Sequence, residues 1–152
     1  METTLLRWWR RLQGAPGGTR LFSWLLSWLI PYTGSVRPLV RELEPGFARV
    51  SMRDRRGVRN HLRCIHAVAQ LNLAEFSTGL AMTSRLPEQG RAILTQLSME
   101  YLKKARGTLT AACRCEPYEL GEKLELQLVS TVQDASGTVV SRGTAVWLVG
   151  PK

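Results

Sequence analysis

One long apolar segment, residues 65–83, constrains the fold of this 152-residue chain more than any other feature. Apolar and small side chains occupy nearly its whole length, which predicts a helix of about five turns that is buried on several sides. Glu75 is the only charged residue within the segment. Because an ionised carboxylate is costly to bury, Glu75 requires a partner, a shifted pKa or water, and it is therefore a candidate site residue.

The rest of the chain supplies strands that can surround this helix. Residues 47–53 alternate like a half-buried strand and precede the helix. After the helix, turn signals separate four further predicted strands, at approximately 93–105, 108–116, 123–134 and 139–149. This order predicts an α+β fold in which a strongly curved antiparallel sheet wraps a long central helix.

Residues 1–34 differ in composition from residues 35–152, and we predict a helical extension followed by one domain. Four of the five tryptophans lie in this front segment, together with several arginines. The apolar stretch at 21–30 is too short to span a bilayer as a helix, and no convincing signal cleavage site follows it. Two interpretations stay open. The extension covers an apolar surface of the domain or of a partner subunit, which we favour, or residues 1–30 make a peripheral membrane contact.

Positive charge is concentrated in the first part of the chain. The formal net charge is +9, and residues 1–63 hold 12 Lys or Arg against 4 Asp or Glu. Such a surface can meet phosphates, anionic lipid or a phosphorylated cofactor, or it can be a solvated basic surface. Nucleic acid is the weaker partner, because the aromatic and basic residues sit in the front segment and do not spread across a predicted sheet.

The three cysteines predict neither a disulfide framework nor a zinc site. Their number is odd, and no Cys-x-x-Cys pair occurs. The spacing of Cys113 and Cys115 places both thiols on the same face of a strand. This use of cysteine favours a reducing, cytoplasmic location.

The residues around the central helix follow the pattern of a known family. Many hotdog-fold acyl-CoA thioesterases of the phenylacetate-pathway type carry Asn-x-x-Gly-x-x-His-Gly-Gly at the helix start and an acidic residue nine positions after the histidine. Asn60, His66 and Glu75 keep both spacings. Over about residues 31–150 the chain resembles more closely a poorly characterised hotdog branch, known as a domain of unknown function. The segments that carry this resemblance are PYTGSV, RVSMRDRRGVRNHLRCIHAVAQLNLAE and MEYLKKARGTL.

Several positions depart from the thioesterase pattern. Arg63 replaces a frequent glycine, and Ala67 and Val68 replace the two glycines after the histidine. A polar residue that often assists from a later strand of the partner subunit falls near Leu94 or Thr95, of which only Thr95 can serve. These departures keep a second function open, that of a non-catalytic protein that binds acyl-CoA or lipid.

The resemblance implies hydrolysis of a thioester of coenzyme A or acyl carrier protein, and the residues suit that chemistry. Glu75 can activate water as a general base or attack as a nucleophile. Asn60 and His66 can position the water or the substrate. The free N–H of Ala67 or Val68 at the helix start can hold the thioester oxygen. The plain alternatives are that Glu75 pairs with an arginine such as Arg59 or Arg63 across a subunit interface, that His66 only caps the helix, and that Asn60 only closes a turn.

His66 and Glu75 would lie on opposite sides of one helix, because nine residues at about 100° each give two and a half turns. They converge only if His66 stands at the helix start or if the site uses both subunits of a dimer. The resemblance implies the second, since hotdog sites lie at dimer interfaces, and it implies a homodimer or a dimer of dimers. No cofactor is expected beyond the coenzyme A of the substrate.

A basic cluster at a predicted strand end is the candidate site for coenzyme A phosphates: Lys103, Lys104 and Arg106. It is equally consistent with a solvated strand edge that prevents sheet pairing. A second cluster, in the loop before the helix, carries the same two interpretations. Its members are Arg53, Arg55, Arg56 and Arg59.

Overall fold

The computed structural model describes residues 2–152, which form one antiparallel sheet, four α-helices and a short 3-10 turn at Arg56–Val58. The helices are α1 (Thr4–Gln13), α2 (Gly18–Leu29), α3 (Pro31–Gly34) and α4 (Ala67–Thr83). The strands are β1 (Leu39–Glu44), β2 (Phe47–Met52), β3 (Gly90–Tyr101), β4 (Leu109–Arg114), β5 (Leu124–Gln133) and β6 (Val139–Pro151).

The six strands lie in the order β1-β2-β4-β5-β6-β3, and each neighbouring pair is antiparallel. Helix α4 contacts all six strands. A single helix can touch every strand of a sheet this wide only if the sheet curves around it. The predicted α+β hotdog fold is therefore confirmed, with α4 as the central helix.

Helix α4 is buried around most of its circumference, and polar side chains lock its rotation. Ser77 Oγ shares a 2.6 Å hydrogen bond with Ser130 Oγ of β5, and Ser141 Oγ of β6 donates to Gln70 Oε1 at 2.8 Å. The helix also approaches β6 closely, since a Cβ on Gly143 would lie 2.6 Å from the Cβ of Ala74. One stripe of the helix is not fully covered, and it consists of Val68, Leu71, Glu75, Gly79 and Thr83.

Strand β1 is absent from the sequence prediction because its side chains do not alternate. A bulge between Val40 and Glu42 shifts the register, so two adjacent residues face outward and the period of two is lost. The third strand ends at Tyr101 and does not extend to Ala105 as predicted. Residues 102–108 form a loop instead, and Gly107 takes φ +72° within it.

Helices α1 and α2 form a hairpin that packs on the edge strand β1. The rings of Trp9 and Phe22 meet edge to face at 5.1 Å between centroids, and the Val40 N–H donates to Ser23 Oγ at 2.8 Å. The hairpin thus covers part of the domain, as the favoured interpretation predicts. Among the described residues, no helix is both long and apolar enough to cross a membrane.

The three cysteines are free and buried. Cys113 and Cys115 face the interior on either side of the exposed Arg114, which confirms the predicted shared face. Burial raises the pKa of Cys113 to about 12, so this thiol stays protonated at neutral pH.

Candidate active site

Asn60 organises the loop that leads into α4. Its Oδ1 accepts hydrogen bonds from the backbone N–H groups of Leu62, at 2.9 Å, and Cys64, at 3.1 Å. Its own N–H donates to the Cys64 carbonyl at 2.8 Å. Asparagine commonly closes turns in this way. These contacts are those of a residue that closes a turn. They engage Oδ1, so the two Nδ2–H groups of Asn60 are the donors that could contact a substrate.

Arg63 holds a left-handed backbone conformation, with φ +58°. This position carries glycine in many of the thioesterases that the loop resembles, and glycine adopts this conformation without a steric penalty. An arginine pays about 1 kcal/mol for the same geometry. The loop therefore keeps a glycine-type shape although its glycine is absent.

His66 is the N-cap residue of α4, and its exposed ring accepts a hydrogen bond at Nδ1 from the Val68 N–H at 3.1 Å. An accepting Nδ1 carries no proton, so the proton of the neutral imidazole sits on Nε2. Because Val68 donates to this cap, the exposed Ala67 is the better candidate of the two predicted oxyanion donors. Its N–H stands in the first turn, where no helical carbonyl can accept it.

Tyr101, which the sequence does not single out, reaches the same helix end. Its hydroxyl donates to the Ala67 carbonyl at 2.8 Å from the last residue of β3. Partial burial raises the pKa of this phenol, so it remains a donor. No sequence signal marks Tyr101, because the contact depends on how a strand 34 residues away passes the helix.

Glu75 lies on the incompletely covered stripe of α4, about 12 Å along the axis from Ala67, since eight residues rise 1.5 Å each. The four ion pairs among residues 2–152 do not include it. Arg59, one candidate partner, pairs with Asp54 at 2.5 Å instead. Burial raises the pKa of Glu75 above its ordinary value. The carboxyl is thus partly desolvated and has no cationic partner among the residues that the structure describes.

Two residues that the sequence does not point to form the surroundings of Glu75. A Cβ on Gly79 would lie 3.4 Å from Trp147 Cζ2 and 4.0 Å from Glu75 Oε1, so the indole and the carboxylate both border the space beside Gly79. The Trp147 Nε1–H donates to Thr78 Oγ1 at 3.1 Å, which fixes the ring. A glycine inside an apolar helix is a signal that could have identified Gly79.

The structure brings the two basic clusters to the N-terminal end of α4. The Ile65 N–H donates to the Ala105 carbonyl at 2.8 Å, and the Gly107 N–H donates to Asp54 Oδ2 at 2.9 Å. These bonds join the loop at 102–108 to the loop before the helix. Six cationic side chains of the two clusters are exposed at this end or beside it, and they are Arg53, Arg56, Arg59, Lys103, Lys104 and Arg106.

Thr95 lies apart from these residues. It is exposed in a bulge of the edge strand β3, and its Oγ1 donates to the Val146 carbonyl at 3.1 Å. It lines a surface depression of about 510 Å³ along β3, β5 and β6, and a second depression of about 560 Å³ lies farther along the same strands. Neither is lined by Asn60, His66 or Glu75.

A central helix with one uncovered stripe, wrapped by a six-stranded sheet, defines the hotdog class, and solved structures share this fold. The genomics target APC5556 is 26% identical with a TM-score of 0.84, covering 99% of this chain and 100% of that one. The Pseudomonas aeruginosa protein PA5026, of unknown function and named a probable thioesterase, is 22% identical with a TM-score of 0.76, covering 91% and 97%. The thioesterase HI1161 of Haemophilus influenzae is 15% identical with a TM-score of 0.72, covering 83% and 88%.

The chain belongs to the DUF4442 family, a domain of unknown function, whose model matches residues 18–149. This confirms the resemblance to a poorly characterised hotdog branch. The matched region begins at the first residue of α2 and includes Asn60, His66 and Glu75. No curated protein matches the sequence.

Proposed function

We propose that this protein is a hotdog thioesterase that hydrolyses an acyl thioester of coenzyme A or acyl carrier protein. One observation carries the proposal most directly: Glu75 is partly buried, has no cationic partner among residues 2–152 and lies at the acid position of the thioesterases that this segment resembles. A carboxylate with a raised pKa beside an indole is suited to accept a proton from water. The fold of the solved thioesterases supports the same class of reaction.

In the proposed reaction, the Ala67 N–H and the positive end of α4 bind the thioester carbonyl oxygen. Glu75 removes a proton from water, and the resulting hydroxide attacks the carbonyl carbon. The tetrahedral intermediate then expels the thiolate, which takes up the proton. One C–O bond forms and one C–S bond breaks, giving a carboxylic acid and a free thiol.

A site of this kind requires two subunits. Ala67 and Glu75 are about 12 Å apart along one helix, too far for both to contact one carbonyl carbon and its attacking water. We propose a homodimer in which Ala67 of one protomer acts with Glu75 of the partner subunit. The twelve-residue strand β3 at the sheet edge supports this arrangement, because an open edge strand can pair with a second copy.

The substrate's phosphates would bind at the basic end of α4. Lys103, Lys104 and Arg106 are exposed there, and the loop that carries them is bonded to the loop of Asn60 through the Ile65 N–H. Such a cluster suits the phosphates of coenzyme A and also the phosphopantetheine and acidic surface of acyl carrier protein. Replacing all three by Gln should raise KM with little change in kcat, because these contacts hold parts of the substrate that do not react.

The proposal is tested by thiol release from short, medium and long acyl-CoAs. We expect Glu75→Gln to lower kcat by roughly 10²-fold or more while leaving acyl-CoA binding intact. The matched control is Glu116→Gln, an exposed acid just after β4 and outside the predicted site, which should leave turnover unchanged. Equal turnover in the wild type and Glu75→Gln would contradict the assignment.

A non-catalytic acyl-binding protein is the second candidate. The Cβ atoms of Ala67 and Val68 occupy the helix start where the thioesterases often have two glycines, and the Thr95 hydroxyl is engaged with a backbone carbonyl. Acyl-CoA binding without any thiol release, and insensitive to Glu75→Gln, would favour this function over the enzyme.

A further inference from the structure

Helix α2 buries one face and leaves a second apolar face open. Phe22 and Ser23 face the domain and are almost fully buried. On the opposite side, Leu21, Trp24 and Trp28 are 47%, 63% and 71% exposed. Residues three and four positions apart are neighbours on a helix surface, so these three side chains form one stripe. Because α2 packs on the domain with its opposite face, this stripe remains uncovered.

The exposed apolar set continues to the end of the helix and beyond it. Leu29 is the last residue of α2, Ile30 precedes α3, Tyr32 lies within α3, and Tyr32 is as exposed as Trp28. We call the six residues Leu21, Trp24, Trp28, Leu29, Ile30 and Tyr32 the aromatic ridge. Isolated exposed apolar residues are ordinary, whereas a continuous exposed set marks a surface for a partner.

The residue types around the ridge indicate which partner it suits. Tryptophan and tyrosine combine an apolar ring with a polar group, and they are enriched where hydrocarbon meets water. Arg20 lies one turn before Trp24 on the same side of α2, and in α1 the exposed Arg11 lies one turn after the exposed Trp8. Arg7 and Arg10 form ion pairs with Glu88 and Glu2, so within residues 2–152 Arg11 and Arg20 are the arginines of the hairpin left to meet anionic lipid.

We propose that the α1–α2 hairpin is a membrane-binding face, with the aromatic ridge inserted among the headgroups of an anionic bilayer. Twelve residues of helix are about 18 Å long, which is too short to span hydrocarbon, so α2 lies in the plane of the surface. Both signals that stable peripheral binding requires are present, namely apolar insertion and positive charge.

The hairpin is held in place before any membrane is met. The Trp9–Phe22 ring contact and the bond from the Val40 N–H to Ser23 Oγ fix it on β1. Asn72 Nδ2 of α4 donates to the Tyr32 carbonyl at 3.4 Å, so the ridge also abuts the central helix. Binding therefore docks a rigid face and orders no new segment, which keeps its entropic cost low.

Vesicle co-sedimentation of the full chain tests the proposal. Vesicles of phosphatidylcholine mixed with phosphatidylglycerol should bind the protein, with a blue shift of tryptophan emission, and phosphatidylcholine alone should bind it more weakly. Trp24→Ser with Trp28→Ser should reduce binding roughly tenfold or more, because each ring adds a large buried apolar area. The matched control is Leu124→Ser with Val129→Ser, two exposed apolar residues of β5 that should not matter.

Three results would overturn the proposal: no binding by the intact chain, unchanged binding by the double tryptophan variant, or an equal loss in the control variant. Light scattering tests the alternative occupant of the aromatic ridge, a second copy of the chain. If the intact chain ignores vesicles and the tryptophan variant changes oligomeric state, a second copy of the chain covers the ridge. None of these readouts depends on thioester hydrolysis.

Discussion

Helices α2 and α4 are both largely apolar, yet they lie in opposite surroundings. Helix α4 contacts all six strands and leaves one narrow stripe, which contains Glu75. Helix α2 reaches β1 with one face and leaves Trp24 and Trp28 largely exposed. Apolar composition alone therefore does not decide burial here; the number of strands within reach does. In each helix the uncovered side carries the proposed function. That side holds the proposed reacting group, Glu75, in α4 and the proposed membrane-binding surface in α2.

The largest expected difference between the two helices comes from a matched pair of leucines. Leu73 in α4 is 0% exposed, whereas Leu29 in α2 is 65% exposed. We expect Leu73→Ala to lower the free energy of unfolding by about 3 kcal/mol, because it removes buried methyl groups and leaves a cavity. Leu29→Ala should change it by less than about 0.5 kcal/mol. Urea denaturation measures both, and similar costs would show that α2 is as tightly covered as α4.

Glu75 is the ionisable residue of α4, and its burial should make the free energy of unfolding depend on pH. Burial raises its folded-state pKa above the ordinary 4.5, so folding favours the protonated form. Below pH 4.5 the carboxyl is largely protonated in both states, and Glu75→Gln should match the wild type in stability. As pH rises through the raised pKa the ionised carboxylate weakens the fold, and Glu75→Gln should become the more stable protein. Thermal unfolding across acid to neutral pH measures this, and a difference independent of pH would contradict it.

Two tryptophans give the next comparison. Trp147 donates a buried hydrogen bond to Thr78 of α4, whereas Trp28 of α2 is 71% exposed. Trp147→Phe should cost about 1 kcal/mol or somewhat more, since it removes that bond and part of the ring. Trp28→Phe should be close to neutral for folding. Chemical denaturation measures the free energy of unfolding of both variants. Equal losses would indicate that Trp28 is buried, contrary to its exposed position.

The smallest expected effect concerns two arginines with left-handed backbone, one near each helix. Arg63 before α4 and Arg37 after α3 both have positive φ, at +58° and +52°. Replacing either by Gly should raise the unfolding free energy by about 0.5 kcal/mol, because relief of strain outweighs the added freedom of the unfolded chain. The exposed Arg53 has no positive φ, so Arg53→Gly should lower the free energy of unfolding slightly. A rise in this variant would show that relief of backbone strain does not explain the gain at Arg63 and Arg37.

The parts of the molecule that follow local patterns are the ones that the sequence predicts. The α4 segment follows from its long run of apolar and small residues, and strand β2 and the shared face of Cys113 and Cys115 follow from a period of two. The spacing of Asn60, His66 and Glu75 predicts candidate residues, and their catalytic roles stay predictions. The same spacing, at 1.5 Å per helical residue, places Glu75 about 12 Å from the helix start.

Other features depend on strand register and are not readable from neighbouring residues. Trp147 and Glu75 border the space beside Gly79 only because β6 passes beneath that turn of α4, and Tyr101 reaches Ala67 only because β3 ends there. The meeting of the two basic clusters depends on the bond from Ile65 to Ala105, 40 residues apart in the chain. Strand β1 escapes prediction because its bulge hides the alternation.

The close approach of α4 to β6 has a consequence for how this sequence can change over time. A single added methyl group on Gly143 would collide with Ala74, 69 positions earlier, and would also crowd Met99 Sδ at 3.2 Å. Neither position can grow alone without pushing the helix off the sheet. We expect positions 74 and 143 to change together in related sequences, because only paired substitutions keep the distance between α4 and β6.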